Sequence, residues 1–233
     1  MAYYALIGGR SPEYLIDFSL EEKIFQRLGL KNPKILFFPF ACKKDREQSI
    51  IKFKRLTQET GYQISFLRDL TDRSVVLKSI RKADVLYFGG GSAEELVHTV
   101  KESCLLEILK ETANTNKLLM GISAGAILLA RSGMGDQHSY KNRDSIYNYQ
   151  MVEGIGLVNL TVCPHYDHLG LWCYNDAVKE YEVDGIALED DTAILIGETM
   201  EVFKIDKTKS VYYFSFKDDY LMLPLYEVEG WRN

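Results

Sequence analysis

Long apolar runs, paired cysteines and an excess of basic charge are all missing from this sequence of 233 residues. No run of eighteen apolar residues occurs, so we expect no membrane-spanning helix. The net charge of −5 argues against a nucleic-acid partner. The first residues lack a basic start ahead of a long apolar core, so we expect no signal peptide.

The four cysteines, Cys42, Cys104, Cys163 and Cys173, are far apart and form no C-x-x-C pair. A chain of this length buries roughly 70% of its unfolded surface, so it needs neither a disulfide nor a metal for stability. We therefore expect reduced thiols, a cytoplasmic location, no metal and no cofactor.

Short apolar runs alternate with amphipathic stretches, which is the pattern of strands and crossover helices. The strand-like runs are YYALIGG, KILFFPFA, YQISFL, DVLYFGGG and KLLMG. Because they are apolar throughout, they are typical of a parallel sheet covered by helices on both faces. The C-terminal part alternates with polar breaks and predicts antiparallel hairpins. The sequence thus predicts one α/β domain over residues 1–233, a three-layer α/β/α sandwich with a mostly parallel central sheet and a C-terminal antiparallel extension.

One serine stands between two glycines where the strand KLLMG meets the helix AGAILLA. The segment Gly121–Gly125 fits G-x-S-x-G, the nucleophile elbow, in which a sharp turn exposes a strained central residue. The next helix points its first amides at that residue, so the amide of Ala124 is a candidate oxyanion donor. Tight packing of small residues is the alternative interpretation. The flanking strand and helix favour Ser123 as a nucleophile.

A nucleophilic serine needs a base, and the chain has four histidines. His98 lies in a predicted helix, and His138 follows the elbow helix in a polar stretch. His165 and His168 belong to VCPHYDH, where a proline ends a predicted strand. Because open α/β sheets hold their sites at the carboxyl ends of strands, we expect His165 to be the base, with His168 as second choice.

Two points stay open here: the role of the segment HYDH, and the identity of the carboxylate that would orient the imidazole of His165. H-x-D-H is also a fragment of a metal site, but no second cluster completes a ligand set, and His165 could be structural. The acid that orients the imidazole should be a carboxylate. Asp136, Asp144 and Glu153 are the candidates between Ser123 and His165, and their spacing does not choose among them.

A glycine run, Gly89 to Gly91, ends the strand expected beside the elbow strand. Its amides can approach a reacting carbonyl because no Cβ intervenes, so we expect Gly90 or Gly91 to be the second oxyanion donor. A phosphate loop is the competing interpretation. That motif needs Lys-Ser/Thr after the glycines, whereas Glu94 and Glu95 follow here.

Taken together, these residues resemble the S51 peptidases, a family that includes dipeptidase E and, more distantly, cyanophycinase. Its members carry a triple-glycine strand end, a G-x-S-A-G-A elbow and a later Pro-His-Tyr/Phe. Here these are Gly89–Gly91, Gly121–Ala126 and Pro164–Tyr166. The resemblance implies the flavodoxin-like fold of class I glutamine amidotransferases and a serine peptidase that acts on small peptides.

The resemblance also bears on the acid and on substrate contacts. Relatives with PHYD carry T-D-S shortly after the elbow helix, where this chain has MGDQ, so Asp136 is the implied third member of a triad. Glu153 and Asp144 rank behind it. We expect Ser92, which follows the triple glycine where the family has Asn, and Tyr166 to contact the substrate.

One departure affects specificity. In dipeptidase E the loop after the catalytic histidine carries an arginine that pairs with the aspartyl side chain of the substrate. The segment YDHLGLWCYNDAVKEYEVDG has no arginine. An acidic side chain buried without a cation would be costly, so preference for aspartate is not expected. Tyr166, Trp172 and Tyr174 suggest a more apolar pocket.

The leading hypothesis is a serine peptidase that hydrolyses small peptides through Ser123, His165 and Asp136. One alternative is an esterase or amidase, and another is a binding protein of the same fold that has lost catalysis. We expect a small peptide as the partner, with no nucleic acid and no membrane. Both a monomer and a homodimer are compatible with the sequence.

Overall fold

The computed structural model describes residues 2–14, 17–42, 44–136, 149–168, 172–216 and 222–224. These residues form thirteen strands, seven α-helices and a short 3₁₀ turn, Pro12–Tyr14. In chain order the strands and α-helices are β1 (Tyr3–Ile7), α1 (Ser19–Arg27), β2 (Lys34–Phe38), α2 (Arg46–Leu56), β3 (Gln63–Phe66), α3 (Arg73–Lys82), β4 (Val85–Phe88), α4 (Ala93–Lys101), α5 (Leu105–Thr112), β5 (Leu118–Ile122), α6 (Ala124–Leu129), β6 (Ala130–Asp136), β7 (Tyr149–Glu153), β8 (Val158–Cys163), α7 (Trp172–Tyr181), β9 (Gly185–Leu188), β10 (Thr192–Ile196), β11 (Met200–Lys204), β12 (Val211–Phe214) and β13 (Met222–Pro224).

The first sheet has seven strands in the order β11-β10-β1-β5-β4-β2-β3. The five strands from β1 to β3 in this order pair in parallel, whereas β10 runs antiparallel to β1 and β11 antiparallel to β10. The predicted parallel sheet and the predicted antiparallel extension at its edge are therefore confirmed.

Helices cover both faces of this sheet, because its central strands are apolar on both sides. On one face, α1 and α2 pack against the strands through an apolar cluster that includes Ile24, Phe25 and Phe53. On the other face, α3 to α6 contribute to a second cluster, with Ile80 and Leu96 among its members. The predicted three-layer α/β/α arrangement is confirmed.

A second sheet, which the sequence analysis did not anticipate, packs against the layer of α3 to α6. Its six strands have the order β13-β12-β9-β8-β6-β7, and β6, β8 and β9 are parallel. Strand β6 escaped the sequence analysis because its two glycines weaken a strand signal. A Cβ at Gly133 would lie 2.7 Å from the carbonyl oxygen of Val162, so this strand needs glycine for its close approach to β8.

Helix α6 lies between the two sheets, and all six of its residues are buried. This explains why its sequence is small and apolar on every side. Helix α7 packs on the outer face of the second sheet through Tyr174 and Val178. None of the helices in the described part of the chain is long and apolar enough to cross a membrane.

The two sheets meet at one end of the molecule. Ser123 follows β5, whose neighbours in the first sheet are β1 and β4. In the second sheet, His165 follows β8. Residues 189–191 connect β9 of the second sheet with β10 of the first, so this short segment passes from one sheet to the other at the same end.

Candidate active site

Ser123 occupies the sharp turn between β5 and α6 in a strained backbone conformation. Its φ is 54° and its ψ is −113°, a combination that residues with a Cβ rarely adopt. Such a conformation costs of order 1–3 kcal/mol and persists where the surroundings enforce it. Here the amide of Ser123 donates to the carbonyl of Ile7, 3.0 Å away, which fixes the turn to the neighbouring strand β1.

The glycines on either side of Ser123 allow the strand and the helix to close on the turn. A Cβ at Gly121 would lie 2.2 Å from the backbone of Gly125. A Cβ at Gly125 would lie 2.2 Å from the carbonyl oxygen of Phe88 in β4. Both positions therefore exclude any side chain, as the elbow motif requires.

The imidazole of His165 lies directly beside the Ser123 hydroxyl. Its Nε2 is 2.9 Å from Ser123 Oγ, although the two residues are 42 positions apart in the chain. His165 itself has a positive φ of 56°, immediately after Pro164 ends β8. The turn after β8 thus aims the imidazole across the gap between the two sheets, and the predicted proximity of Ser123 and His165 is present.

Asp190 accepts the hydrogen bond from the other nitrogen of the same imidazole. His165 Nδ1 is 2.7 Å from Asp190 Oδ1, and the carboxylate is 1% exposed. The second oxygen, Oδ2, lies 2.8 Å from Nε2 of His168. The backbone amide of Asp190 donates to Asp167 Oδ1 at 3.0 Å, so the carboxylate is fixed from several sides.

Gly9, at the end of β1, packs against this pair of side chains. A Cβ at this position would lie 2.0 Å from Asp190 Oδ1 and 2.4 Å from His165 Nδ1. The carbonyl of Gly9 also accepts from the amide of Asp191 at 3.1 Å. The end of β1 in the first sheet therefore limits the space available to the imidazole of His165 and the carboxylate of Asp190.

The predicted oxyanion donors lie on the opposite side of Ser123 from Gly9, because β4 and β1 flank β5. A Cβ built on Gly90 would be 3.3 Å from Ser123 Cβ, so the Gly90 backbone reaches the serine closely. Gly91 has a φ of 141°, which favours glycine. Ala124 begins α6, a six-residue helix whose first amides adjoin the serine.

A cavity of about 450 Å³ opens over Ser123. The lining residues are Arg10, Gly91, Ala93, Ser123, Ala124, Ile127, Met134, Gly135, Tyr149, Pro164, His165, His168 and Asp190. One wall, with Ile127 and Met134, is apolar, and the kind of substrate side chain that the cavity accepts stays a prediction. Of the three aromatic residues expected to form an apolar pocket, Tyr174 is fully buried in the core of the second sheet, Tyr166 packs against Tyr212, and the side chain of Trp172 lies outside the described part of the structure.

Arg10 brings a buried positive charge to the wall of this cavity. Its guanidinium donates to the carbonyl of Asp17 and to the carboxylate of Glu21, and its side chain is 6% exposed. Burial by itself disfavours the charge, but attraction to Glu21 outweighs it and raises the pKa of Arg10 above its ordinary value. Burial raises the pKa of Tyr87 well above its ordinary value, and the Tyr87 hydroxyl donates to Glu21 at 2.7 Å.

Two residues expected to contact substrate have clear structural roles. The Ser92 hydroxyl accepts from the amide of Glu95 and caps α4, and the residue is 3% exposed. Tyr166 packs against Tyr212 with ring centroids 5.2 Å apart, and burial raises the pKa of its phenol to about 12. In the sequence, Ser92 directly follows Gly91 and Tyr166 directly follows His165, and both Gly91 and His165 line the cavity. Contact of Ser92 and Tyr166 with substrate stays a prediction.

Among the residues that the structure describes, the carboxylate beside His165 Nδ1 is that of Asp190, which was not among the three acids considered from the sequence. Asp136 ends β6, and its side chain lies outside the described part of the structure, as does the whole of Asp144. Glu153 is on β7, where its carboxylate is 78% exposed and 4.0 Å from Lys101. The search between Ser123 and His165 missed Asp190 because the acid follows the histidine in the chain.

A signal for Asp190 is present in the sequence LEDDT, in which three consecutive acidic residues directly follow an apolar strand. It stands at the carboxyl end of β9, the parallel neighbour of β8 whose end carries His165. Knowledge of that strand pairing is needed to use the signal. Gly9 and Arg10 were missed for the same reason, because only the packing of β1 beside β5 brings them to Ser123.

The H-x-D-H segment also raised the alternative of a metal site. Within the described ranges, Asp167, His168 and Asp190 place possible ligand atoms within 4.8 Å of one another. These atoms already have partners. Lys209 lies 2.5 Å from Asp167 Oδ2, and both oxygens of Asp190 are hydrogen-bonded to histidines. The cluster therefore serves as a hydrogen-bonded support for His165.

Known proteins resemble this chain over most of its length. The model of peptidase family S51 matches residues 6–202. The chain is 25% identical over 230 residues to a peptidase E of Nostoc sp., covering 90% of this chain and 91% of that protein. It is 30% identical over 164 residues to the uncharacterized peptidase YgaJ of Bacillus subtilis, covering 70% and 67%. A solved peptidase from an acI-B1 Actinobacterium shares the fold, with a TM-score of 0.68 at 19% identity over 97% of this chain and 94% of that one.

Proposed function

Because the chain belongs to peptidase family S51, we propose that it is a serine peptidase that hydrolyses small peptides. One observation carries the proposal. A continuous line of hydrogen bonds runs from Ser123 Oγ to His165 Nε2 at 2.9 Å and from His165 Nδ1 to Asp190 at 2.7 Å. This is the order of nucleophile, base and orienting acid that acyl transfer through a serine requires.

In the first half of the reaction, Ser123 Oγ attacks the carbonyl carbon of the scissile peptide bond. His165 Nε2 accepts the hydroxyl proton as the new C–O bond forms. Asp190 accepts from Nδ1–H throughout, so it selects the tautomer with a free Nε2 and stabilises the imidazolium that forms. The strained turn keeps Oγ exposed at the imidazole, which reduces the reorganisation needed for attack.

The negative charge that develops on the carbonyl oxygen needs donors that are already in place. The amide of Ala124 and that of Gly90 or Gly91 are proposed to supply them, because the two segments flank Ser123. A single donor of this kind contributes about 3–4 kcal/mol to transition-state stabilisation in other serine enzymes.

Collapse of the tetrahedral intermediate breaks the C–N bond. His165 Nε2 gives its proton to the leaving amine, and the first product departs. A water molecule then attacks the acyl-serine ester while His165 accepts its proton. The imidazolium returns that proton to Ser123 Oγ as the C–O bond breaks, which releases the acid product and restores the resting state.

We assign the third role to Asp190 in place of Asp136, which the family resemblance had favoured. The distance of 2.7 Å to His165 Nδ1 supports this assignment. Its burial supports it as well, because a carboxylate that is 1% exposed interacts with the imidazolium through little intervening water.

A library of dipeptides and tripeptides, analysed by mass spectrometry after incubation, tests the function. We expect wild-type protein to release specific amino acids and Ser123→Ala to lose turnover by several orders of magnitude while remaining folded. Ser65→Ala, a change on strand β3 at the far edge of the first sheet, serves as a matched control that retains activity.

Retained turnover in Ser123→Ala would contradict the proposal. Turnover of short esters or other amides with no peptide cleavage would replace it with an esterase or amidase. If wild type and Ser123→Ala bind peptides equally and neither cleaves them, the chain is a binding protein of this fold.

A further inference from the structure

Arg10 is the one permanent cation among the described residues that line the catalytic cavity. It directly follows Gly9, which packs against the imidazole of His165. Strand β1 therefore presents Arg10 on the histidine side of Ser123, whereas Gly90 and Gly91 come from β4 on the other side. The cavity thus has a charged end and an oxyanion end, with the nucleophile between them.

The guanidinium of Arg10 is held in place from behind. It donates to the carbonyl of Asp17 and to Glu21, and Glu21 also accepts from the hydroxyl of Tyr87. Glu21 is 0% exposed and is not part of the cavity wall. A ligand that contacts Arg10 therefore meets a side chain whose conformation is already fixed, which lowers the entropic cost of binding.

Part of this guanidinium has no partner. The Nε–H of Arg10 is buried and makes no hydrogen bond to any residue that the structure describes. A buried donor without an acceptor is costly, and charged donors are the most costly of all. The second carboxylate oxygen of Glu21, Oε2, is also buried without a partner, so the pair of Arg10 and Glu21 leaves part of its hydrogen-bonding capacity unused. Because Arg10 lines the cavity, its guanidinium can attract and pair with a carboxylate placed there.

We propose that Arg10 binds the free α-carboxylate of the leaving amino acid, so that the enzyme selects dipeptides with an unblocked C-terminus. The inference rests on the proposed function. His165 must reach the leaving nitrogen to protonate it, so the leaving residue lies on the histidine side of Ser123. In a dipeptide the carboxylate is attached to the same Cα as that nitrogen, which brings it towards Arg10.

Longer peptides fit this arrangement less well. Each added residue moves the terminal carboxylate by up to about 3.3–3.6 Å. A C-terminal amide keeps the shape of the substrate but removes its negative charge. Glu21 already offsets part of the charge of Arg10. We therefore expect a peptide with a free carboxylate to be bound and cleaved about tenfold better than its amide, rather than by many orders of magnitude.

The test uses the dipeptide library prepared twice, once with free and once with amidated C-termini. We expect wild-type protein to show a ratio of kcat/KM, free acid over amide, of about ten or more. In Arg10→Gln the ratio should fall towards one, because turnover of the free acid falls further than that of the amide. Arg27→Gln, which removes an exposed arginine paired with Glu201, is the matched control and should keep the wild-type ratio.

Removal of Arg10 alone leaves Glu21 buried without its cation, which can prevent folding. The double variant Arg10→Gln/Glu21→Gln removes both charges together, so the ratio of kcat/KM can be measured in it even if Arg10→Gln does not fold. A ratio unchanged from wild type in the folded variant overturns the proposal. An equal loss for acid and amide also overturns it, because a purely structural arginine would act in that way.

Binding to the Ser123→Ala background separates this proposal from the proposed function. Titration calorimetry with the two libraries should show about tenfold tighter binding of the free acids, and the added Arg10→Gln change should abolish the difference. If wild type cleaves neither library but this difference is present, the peptidase assignment fails and the carboxylate site stands. Equal binding of acid and amide, or no binding of the acids, rejects the carboxylate site.

Discussion

The two halves of the candidate site are built in different ways. The nucleophile half is one continuous segment, in which β5, Ser123 and α6 follow one another and backbone contacts fix the geometry. The other half joins His165 and Asp190, which are 25 positions apart, through side-chain hydrogen bonds at the boundary between two sheets. Substitutions in the first half should therefore affect folding and chemistry together, whereas those in the second should affect chemistry first.

Asp190→Asn should have the largest effect on chemistry. The amide keeps the size of the carboxylate but no longer stabilises the imidazolium, so we expect kcat/KM to fall by about 10⁴-fold. Peptide turnover measured with Asp136→Asn alongside decides between the two acids. We expect Asp136→Asn to lose less than about tenfold, and the reverse order of the two losses would return the third role to Asp136.

Gly9→Ala should come next, because it disturbs the same pair of side chains from the first sheet. The new methyl would start 2.0 Å from Asp190 Oδ1 and 2.3 Å from His165 Cε1, so both must move. A displacement of about 1 Å costs about 10²-fold in kcat/KM. Gly29→Ala is the control for an added methyl group, because no atom lies within 4 Å of that position; its φ of 69° adds a backbone strain that Gly9→Ala does not have, so any loss of stability there is not due to crowding. Wild-type turnover in Gly9→Ala would show that the pair adapts freely.

Ser123→Gly tests the strain in the nucleophile half. Glycine accepts the φ of 54° without strain, so we expect this variant to exceed Ser123→Ala in free energy of unfolding by about 1 kcal/mol. Urea denaturation measures the difference. Ser132 in β6 has no positive φ and serves as the control. There, we expect the glycine variant to have a lower free energy of unfolding than the alanine variant. Lower stability of Ser123→Gly than of Ser123→Ala would mean that the turn is unstrained.

His168→Ala should have the smallest effect. It removes the hydrogen bond to Asp190 Oδ2, but the imidazole is 55% exposed and water can take its place. We expect kcat to fall by less than about tenfold with KM unchanged. His98→Ala, a change at an exposed helical position, controls for general effects. A loss as large as that of Asp190→Asn would make His168 a second essential base.

The same contrast explains what the sequence could predict. The elbow was readable because G-x-S-x-G, its strand and its helix are contiguous in the chain. His165 was readable because a proline placed it after a strand. Asp190 could not be predicted, because it comes close to His165 only through the pairing of β8 with β9. Both strands belong to the second sheet, and the glycine-containing strand β6 of that sheet had little strand signal in the sequence.

In the proposed mechanism, the imidazole of His165 from the second sheet activates Ser123 from the first. The most direct test is the rate at which a fluorophosphonate labels Ser123, because this reaction needs the base but no knowledge of the substrate. We expect His165→Gln to label at least about 10²-fold more slowly than wild type, with His98→Gln unchanged. Equal labelling rates in wild type and His165→Gln would contradict the account.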